Sequence, residues 1–560
     1  MRYTLILLLF STFSSIFSQN INLNDSFNYS LIRSSILSGE ISSLYSLNVK
    51  PLILNEEFNN LLKSQFKTIY RNKKNTLELK SLGLDYFIEF NSHHPYNRNN
   101  GTMLPNRGYQ HIISPGFFFR AGPLSIQIKP EHHFSENKIF DGFWEGHYSA
   151  IWAKRYKLWN RIDMPERHGN QKHNKLTLGQ SSIRLNWKKI SLGISTENLW
   201  WGPSIRNSIM MSNHAQGFKH ITLNSIEPIK TFFGNFEFQL ISGILENSGF
   251  TPPRTDYEHA GTKLYIPKIN QKNETDDTRY IQAIILSYSP KWIDGLSLGL
   301  IRWTQMYSAL VEGRYRWMNG KPTYFPIFAS LFRKDQSNVD YEKQINEAGG
   351  GFLRWLWKDS KAEIYAEYHL NDSKFNFRDL ILDPDHSRAA TIGLQKVFDI
   401  NNAMYLFNWE WTQMEQTASR LVRKSGSWYM HQYVFDGYTN KGEVLGSSIG
   451  PGSNSHYFSI NKINNSSKIG IGIEVIDNDN DFYHEAFASA KDFRRYWKDI
   501  NLHLNFDKLF KSLKISSNLV YIRSLNYQWE LDDFATPYYH PGRDVDNFHF
   551  SLKLTYFGDW

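Results

Sequence analysis

The sequence predicts an all-β fold, a transmembrane antiparallel β-barrel of about 16–18 strands preceded by a small, partly helical region. Three observations predict this fold. The chain begins with an export signal, many segments alternate between apolar and polar residues, and aromatic residues are abundant although the mean hydropathy is only −0.49. A barrel reconciles them, because only every second residue of a spanning strand faces lipid and aromatic girdles mark both membrane interfaces.

The export signal comprises residues 1–18. Arg2 precedes an apolar run over residues 3–10, and a Ser- and Phe-rich stretch follows, which is the order of parts in a secretory signal peptide. An N-terminal membrane anchor is the alternative, but this run is too short to span roughly 30 Å of hydrocarbon. We therefore expect cleavage after Ser18, so that the exported protein begins at Gln19. The sequence contains no cysteine.

Composition points to strands as the spanning elements. Aromatic residues make up 16% of the chain, which is far above the content of an ordinary soluble enzyme. Beyond the signal, the sequence contains no apolar run of the roughly 18 residues that a spanning helix needs. The formal net charge of +9 is spread among acidic residues and suits an anionic polymer or lipopolysaccharide phosphates as a partner, rather than a nucleic acid.

The region ahead of the barrel is predicted to be partly helical. In residues 55–70, Glu56 and Glu57 occupy the first turn and the apolar residues recur at helical spacing. These apolar residues are Phe58, Leu61, Leu62, Phe66 and Ile69. We therefore expect residues 19–80 to form a small periplasmic region and residues 81–560 to form an outer-membrane barrel with long extracellular loops.

Strands are indicated by a strict period of two. The C-terminal segment FHFSLKLTYF (548–557) alternates between apolar and polar side chains, as a strand with one apolar face does. The same pattern recurs in internal segments that begin at Leu124, Phe236, Ile364, Tyr405 and Ile469. The chain ends at Trp560, and a terminal aromatic residue after such a strand is a feature that the barrel assembly machinery recognises. We expect outer-membrane lipid and this machinery as partners.

The opposite faces of these strands predict a wet, polar lumen. They carry several carboxylates, namely Glu237, Glu363, Glu367, Glu410 and Glu474. A large soluble β-sandwich or propeller would also alternate, but the chain shows no repeat of the roughly 40 residues typical of a propeller blade. Polar, Pro-rich segments at 251–279 and 308–346 are expected to be long loops.

An enzyme that acts on lipid or glycan is one alternative, and a porin-like channel is another. The motif GSSIG around Ser448 matches the G-x-S-x-G nucleophile pattern, but it lies in a Gly- and Ser-rich loop without the helix that such an elbow needs. Asp163 and Glu166, in DMPERHG, fit an ion-paired turn with Arg167 better than an acid/base pair. We therefore expect no catalytic residues.

Candidate metal ligands fail on spacing. The segment DNDNDF (477–482) places three Asp residues like a calcium loop, but the Gly and final Glu of that loop are missing, which favours a solvated acidic hairpin loop. The pairs His93-His94 and His132-His133 point to opposite faces of a strand and chelate poorly. We expect neither a metal nor a cofactor.

Several blocks of the chain resemble the Wzi-type capsule assembly family of outer-membrane proteins, in the form found in Bacteroidota. They are IDMPERHG, LGQSSIRLNW, ENLWWGPSIRNSIMMSNHAQGFKHI, EIYAEYHLNDSKFNFRDLILDPDHSRAATIGLQK and GYTNKGEVLGSSIGPGSNS. The resemblance covers most of the chain from about residue 25 onward. It implies an 18-stranded barrel with a small periplasmic region, which helps hold capsular polysaccharide at the cell surface.

The block with two adjacent tryptophans, residues 197–221, is the candidate site. An indole stacks on the C–H face of a sugar, while amides, carboxylates and cations take up its hydroxyls. The candidate polysaccharide-binding residues are Glu197, Trp200, Trp201, Arg206, Asn207, Asn213 and His214. Neighbouring strand residues face opposite sides, so one indole is expected to meet lipid or protein and the other the lumen, with Gly202-Pro203 ending the strand. A loop that plugs the lumen without a ligand is the alternative.

Overall fold

The computed structural model describes residues 19–558 apart from 43, 63–64, 268–277, 312–326, 328–344, 372–376, 402, 424, 489–493 and 537. The expected signal peptide, residues 1–18, and the terminal Trp560 lie outside the described residues. Within them, 18 antiparallel strands close into one barrel. The predicted fold class is confirmed, at the upper end of the expected number of strands.

The barrel wall runs in simple up-and-down order, each strand pairing with the next. The strands are β1 (Leu77–Asn91), β2 (Gly108–Ala121), β3 (Leu124–Ile128 and Glu131–Ser135), β4 (His173–Thr177 and Ser182–Trp187), β5 (Ile190–Ser195), β6 (His220–Ser225), β7 (Gly234–Leu245), β8 (Arg279–Pro290), β9 (Leu296–Tyr307), β10 (Asn346–Trp357), β11 (Ala362–Asn371), β12 (Arg388–Ile400), β13 (Ala403–Gln413), β14 (Asn454–Asn464), β15 (Ser467–Asp477), β16 (Lys498–Leu509), β17 (Leu513–Leu525) and β18 (Val545–Tyr556). The wall closes where β18 pairs with β1, with His549 opposite Asn91. Two short strands extend the same sheet, Lys67–Arg71 beside β1 and Ile229–Lys230 beside β7.

The helices are short and form no part of the barrel wall. They are α1 (Ser26–Leu37), α2 (Glu56–Leu61), α3 (Ser149–Trp159), α4 (Ser308–Val311), α5 (Phe377–Leu382) and α6 (Asn480–Tyr483), with a π-helical turn at His484–Ala488 and 3-10 turns at Ala418–Leu421 and Tyr527–Trp529. The predicted helix over 55–70 is confirmed only as α2, because Lys67–Arg71 joins the sheet as a strand. In the described part of the chain, no helix is long and apolar enough to cross a membrane.

The outer surface of the barrel is apolar, as the alternation predicts. On β15, Ile469, Ile471 and Ile473 all point outward and are exposed. Leu504 of β16 lies opposite Ile471 and is exposed as well, so the apolar residues of adjacent strands form a continuous lipid-facing band. Burying such a surface in hydrocarbon is the force that holds the barrel in a membrane.

The two ends of the barrel differ in the length of their connections. At one end the turns are short, such as residues 358–361 between β10 and β11. At the other end the connections are long, such as 136–172, 246–278 and 414–453. We call the second end the long-loop end, and we expect it to be extracellular because outer-membrane barrels have short periplasmic turns and longer extracellular loops. The long loops predicted at 251–279 and 308–346 fall at the long-loop end, although parts of both lie outside the described residues.

The N-terminal segment, residues 19–62, enters the short-turn end of the barrel. The apolar face of α1, with Phe27 and Leu31, packs against wall residues next to the short turns. These wall residues are Leu356, Val397, Leu406 and Ile463. Lys514 of β17 pairs with Asp25, which caps α1. The wall begins at Leu77, close to the boundary expected at residue 81, while the periplasmic placement of residues 19–80 stays a prediction.

Candidate functional site

The connection between β5 and β6, residues 196–219, does not leave the barrel but folds into its lumen; we call it the lumen loop. Trp200–Trp201 forms a two-stranded antiparallel sheet with Val49–Lys50 of the N-terminal segment. The predicted end of this strand at Gly202 is confirmed. The strand lies inside the barrel rather than in its wall, so both indoles are surrounded by protein and neither reaches lipid.

The two indoles have separate protein partners. The Nε1 atom of Trp200 donates to the carbonyl oxygen of Ser204 at 3.0 Å, and the ammonium of Lys50 lies 5.4 Å from its ring centroid. Trp201 is fully buried in the larger core, and its Nε1 donates to Oε1 of Gln239 on β7 at 2.8 Å. Burial lowers the pKa of Lys50 to about 7, and the nearby guanidinium of Arg33 adds to the lowering.

The turn after the tryptophans is fastened to Glu367 of β11. Gly202 has a φ of +97°, and a Cβ atom on it would lie 2.4 Å from Oε1 of Glu367. The backbone nitrogen of Ser204 donates to the same oxygen at 3.1 Å, and the Ser204 hydroxyl donates to it at 2.5 Å. Only glycine fits this close approach with a positive φ, which explains the Gly-Pro step in the sequence.

Glu410 of β13 holds the next three residues. Its carboxylate accepts the backbone N–H groups of Ile205 and Asn207, each at 2.7 Å, and that of Arg206 at 3.2 Å. The Tyr365 hydroxyl donates to the same carboxylate at 2.8 Å. A carboxylate that accepts several backbone N–H groups fixes the chain firmly, because each charge-assisted bond is stronger than a neutral one.

Arg206 extends from the lumen loop to the wall. Its Nη2 lies 2.7 Å from Oε2 of Glu474 on β15 and donates to the Tyr96 hydroxyl at 2.8 Å. The guanidinium also lies 5.1 Å from the ring centroid of Tyr457. The bidentate geometry with Glu474 satisfies a cation in the interior of the barrel.

The remaining candidate amides and the histidine also bind protein. The Ser447 hydroxyl donates to Oδ1 of Asn207 at 3.2 Å. Nδ2 of Asn213 donates to the carbonyl oxygen of Asn99 at 2.9 Å. Nε2 of His214 lies 2.8 Å from Oε2 of Glu443, within the long connection between β13 and β14. These contacts tie the lumen loop to the connections at the long-loop end of the barrel.

Glu197 is a hub at the start of the lumen loop. Its carboxylate pairs with Arg184 of β4 at 3.0 Å and accepts from Nδ2 of Asn20 at 2.7 Å and from Nε2 of Gln127 at 3.0 Å. The cation that pairs with Glu197 is Arg184, whereas Arg206 of the same loop pairs with Glu474. Glu197 therefore joins the lumen loop to both the wall and the N-terminal segment.

The five carboxylates predicted to face the lumen do so, but the lumen is filled with protein. Glu367, Glu410 and Glu474 bind the lumen loop, as described above. Glu363 binds Arg33 of α1, and Glu237 accepts the backbone N–H of Ser46 at 2.8 Å. The polar lumen is confirmed, whereas the expectation that it is wet is wrong, because these carboxylates lie buried against plug residues. We call the lumen loop and the N-terminal segment together the plug.

The residues of the alternative catalytic and metal motifs are hydrogen-bonded to other parts of the protein. Ser448 is buried in a loop, with its carbonyl oxygen accepting from Arg98. The DNDNDF segment is not a solvated hairpin loop, because Asp479 caps α6 and Asp481 accepts the backbone N–H of Gln416. Among the described residues, no group of three or more His, Cys, Asp and Glu is arranged to hold a metal ion.

Sequence reasoning missed the role of the N-terminal segment. Arg33 pairs with Glu363 across 330 positions of sequence, and Lys50 lies beneath Trp200. The available signal was the polar run Arg33, Ser34 and Ser35 in the second half of α1. All three are buried, so their polar groups meet protein rather than solvent.

Comparison with known proteins identifies the family. A family model described as capsule assembly protein Wzi matches residues 116–481, well over half of the chain. The chain belongs to the Wzi capsule assembly family. A search of curated proteins finds no match. The family assignment and the barrel together make it a barrel of the outer-membrane type.

A solved structure shows the same architecture. The chain is similar to Wzi of Escherichia coli, an outer-membrane protein involved in group 1 capsule assembly and described as a carbohydrate-binding β-barrel. That likeness has a TM-score of 0.58 at 11% identity and covers 96% of this chain and 99% of the other. A weaker likeness is to OccAB1 of Acinetobacter baumannii, with a TM-score of 0.40 and 7% identity, covering 88% of this chain and 98% of the other. Another is to OpdQ of Pseudomonas aeruginosa, with a TM-score of 0.37 and 9% identity, covering 86% of this chain and 96% of the other.

Proposed function

We propose that this Wzi-family protein retains capsular or extracellular polysaccharide at the cell surface and does so without a catalytic reaction. The observation that carries the proposal is the plug. Wall carboxylates hold the lumen loop, and the lumen loop in turn holds the extracellular loops through contacts such as His214–Glu443. The extracellular surface is therefore a fixed platform rather than the mouth of a channel.

The protein is proposed to reach the outer membrane through a cleaved signal peptide and the barrel assembly machinery. Outer-membrane lipid and lipopolysaccharide then surround the lipid-facing band, and the N-terminal segment closes the periplasmic end. Folded protein should migrate differently from boiled protein on a gel and fractionate with outer membranes. Recovery of the protein as a soluble periplasmic species would contradict this placement, and deletion of residues 548–560 should block assembly.

The candidate residues are proposed to serve retention by holding the platform. Trp200 and Trp201 are buried, and Glu197, Arg206, Asn207, Asn213 and His214 bind protein groups. Direct contact of these seven residues with sugar stays a prediction of the sequence, and it requires that the plug opens. The two roles differ in one measurable quantity, the polysaccharide retained per assembled barrel.

The proposal is tested in cells that lack the protein and in complemented cells. Loss of the protein should shift surface polysaccharide from the cell pellet to the medium, with total polysaccharide unchanged, and complementation should reverse the shift. Unchanged partition between pellet and medium would overturn the proposal. Two further assays address the alternatives. A porin gives steady conductance in planar bilayers, and an enzyme releases product from purified glycan or lipopolysaccharide in a manner that Ser448→Ala abolishes.

A further inference from the structure

A cavity of about 300 Å³ opens among the extracellular loops. Its floor is formed by Trp159, the last residue of α3, and by Ile162, both almost fully buried. Phe250, in the connection after β7, forms one side and is partly exposed to solvent. Tyr265, farther along the same connection, lines the cavity as well. The cavity therefore presents aromatic surface on several sides at the extracellular end of the barrel.

The walls of the cavity are fastened to the end of α3. The Asn160 side chain donates to the carbonyl oxygen of Leu264 at 2.9 Å and accepts from the nitrogen of Ile266 at 3.3 Å. The Asp163 carboxylate accepts the N–H and the hydroxyl of Ser248, each at 2.6 Å. A cavity held by such bonds is formed before a ligand arrives, which lowers the entropy lost on binding.

The lining suits sugar rings. Aromatic and proline surfaces stack on the C–H faces of a sugar, and polar side chains accept or donate to its hydroxyls. The apolar lining residues include Met164, Pro165, Pro252 and Pro267, and the polar ones include Asn247 and Thr251. The volume lies at the lower end of the roughly 300–1,000 Å³ typical of ligand sites, which is enough for about one or two rings.

The charges of the lining favour neutral sugars over uronic acids. Among the described lining residues the charged ones are Asp163 and Asp436, and both are acidic. Asp436 accepts from the Tyr307 hydroxyl at 3.2 Å and lies 3.7 Å from Arg279, while Asp163 accepts from Ser248. Arg279 offsets the charge of Asp436, so a uronic acid would bring its carboxylate beside that of Asp163, and like charges in a partly desolvated site repel each other.

We propose that this cavity binds a neutral segment of the retained polysaccharide in preference to an acidic one. This inference rests on the proposed function and adds to it the place of contact and the class of sugar. It also separates two tasks in the molecule. The seven residues of the lumen loop hold the platform, and the cavity beside α3 touches the glycan.

The test measures binding of purified full-length protein to surface polysaccharide extracted from cells that express it. Two forms of the glycan are compared, the native form and one whose carboxylates have been reduced to alcohols. Reduction should leave affinity unchanged or raise it. Phe250→Ala should weaken binding of both forms about tenfold, because a stacking surface is lost. Phe534→Ala, an exposed phenylalanine on the connection between β17 and β18, is the matched control and should bind normally.

A charge substitution at the exposed rim sharpens the test. Thr251→Lys should raise the affinity for an acidic probe, hexagalacturonate, relative to the affinity for the carboxyl-reduced glycan. Loss of binding after carboxyl reduction would overturn the proposal, as would normal affinity in Phe250→Ala. If Phe250→Ala binds the glycan with normal affinity and cells with this variant retain polysaccharide as wild-type cells do, the cavity is rejected as the binding site but the proposed function stands. Failure of the wild-type protein to bind the glycan, together with normal retention in cells that lack it, rejects the proposed function.

Discussion

Arg206 and Glu474 form an ion pair inside the barrel, with Nη2 2.7 Å from Oε2. Arg206 belongs to the lumen loop and Glu474 to wall strand β15, so the pair joins two parts of the chain that have no local connection. Glu474 is fully buried, so breaking the pair would leave a charge inside the barrel without its counter-ion. It is one of several carboxylate contacts by which the wall determines the position of the plug.

Replacing Glu474 by Gln should destabilise the barrel, because Arg206 then keeps its charge without an anion. Breaking a buried pair in this way costs about 3–5 kcal/mol. The measurement is the denaturant midpoint at which the folded, fast-migrating form is lost on a gel. Glu227→Gln is the control, since Glu227 pairs with Lys189 in solvent and such pairs contribute about 0–1 kcal/mol. Equal midpoints for the two variants would contradict the buried role of Glu474.

Glu197→Gln separates folding from sugar recognition. As the partner of Arg184, Glu197 should matter for stability, and its amide variant should lower the unfolding midpoint and the yield of assembled barrel. Polysaccharide retained per assembled molecule should stay normal. Arg184→Gln removes the same pair from the other side and should reproduce the loss of stability. A Glu197→Gln variant with normal stability and poor retention would instead identify Glu197 as a sugar ligand.

The wall was predictable from the sequence because its signal is local. A period of two assigns each residue of a strand to lipid or lumen, and the outward Ile471 and inward Glu474 follow from their positions alone. The plug was not predictable in the same way. The contacts of Trp200 with Lys50 and of Arg33 with Glu363 join segments that are distant in sequence, and no periodic pattern predicts such contacts.

The composition of the candidate stretch could be interpreted in two ways for a physical reason. Indoles, amides and a carboxylate satisfy sugar hydroxyls, and the same groups satisfy the backbone of a buried loop. Only tertiary structure shows that the partners of Asn207 and Asn213 are Ser447 and Asn99. The block DMPERHG was likewise ambiguous, since Asp163 proves to fasten a loop through Ser248.

Gly202→Ala should loosen the plug. The added Cβ would lie 2.4 Å from Oε1 of Glu367, and the φ of +97° is strained for any residue with a side chain. Strain of this kind costs on the order of 1–3 kcal/mol. We expect a lower unfolding midpoint and transient conductance in planar bilayers, where the wild-type protein stays closed. Gly426→Ala is the control, because nothing lies within 4 Å of a Cβ there.

Lys50 should make stability depend on pH. Its pKa is about 7 in the folded protein, against an ordinary value of 10.5, chiefly because it is buried and also because Arg33 and Arg354 lie nearby; Glu367 and Glu363 partly offset this. Between these values the unfolded chain binds more protons than the folded chain, so the unfolding free energy rises with pH. Lys50→Met should remove this contribution. The measurement is the difference in unfolding midpoint between the two proteins at pH 6.5, 8 and 9.5, and a constant difference would contradict the assignment.

Substitutions in the lumen loop distinguish a platform from a sugar site. Trp201→Ala removes a fully buried indole and its bond to Gln239, and loss of a buried Trp costs about 3–5 kcal/mol. We expect fewer assembled barrels, with polysaccharide retention falling only in proportion. Trp200→Ala, Asn207→Ala and Asn213→Ala should behave alike, with smaller losses for the amides. Trp292→Ala, an exposed tryptophan in the short turn between β8 and β9, is the control and should assemble normally. Retention per assembled barrel decides the matter, because a sugar ligand would lower that ratio while assembly stayed normal.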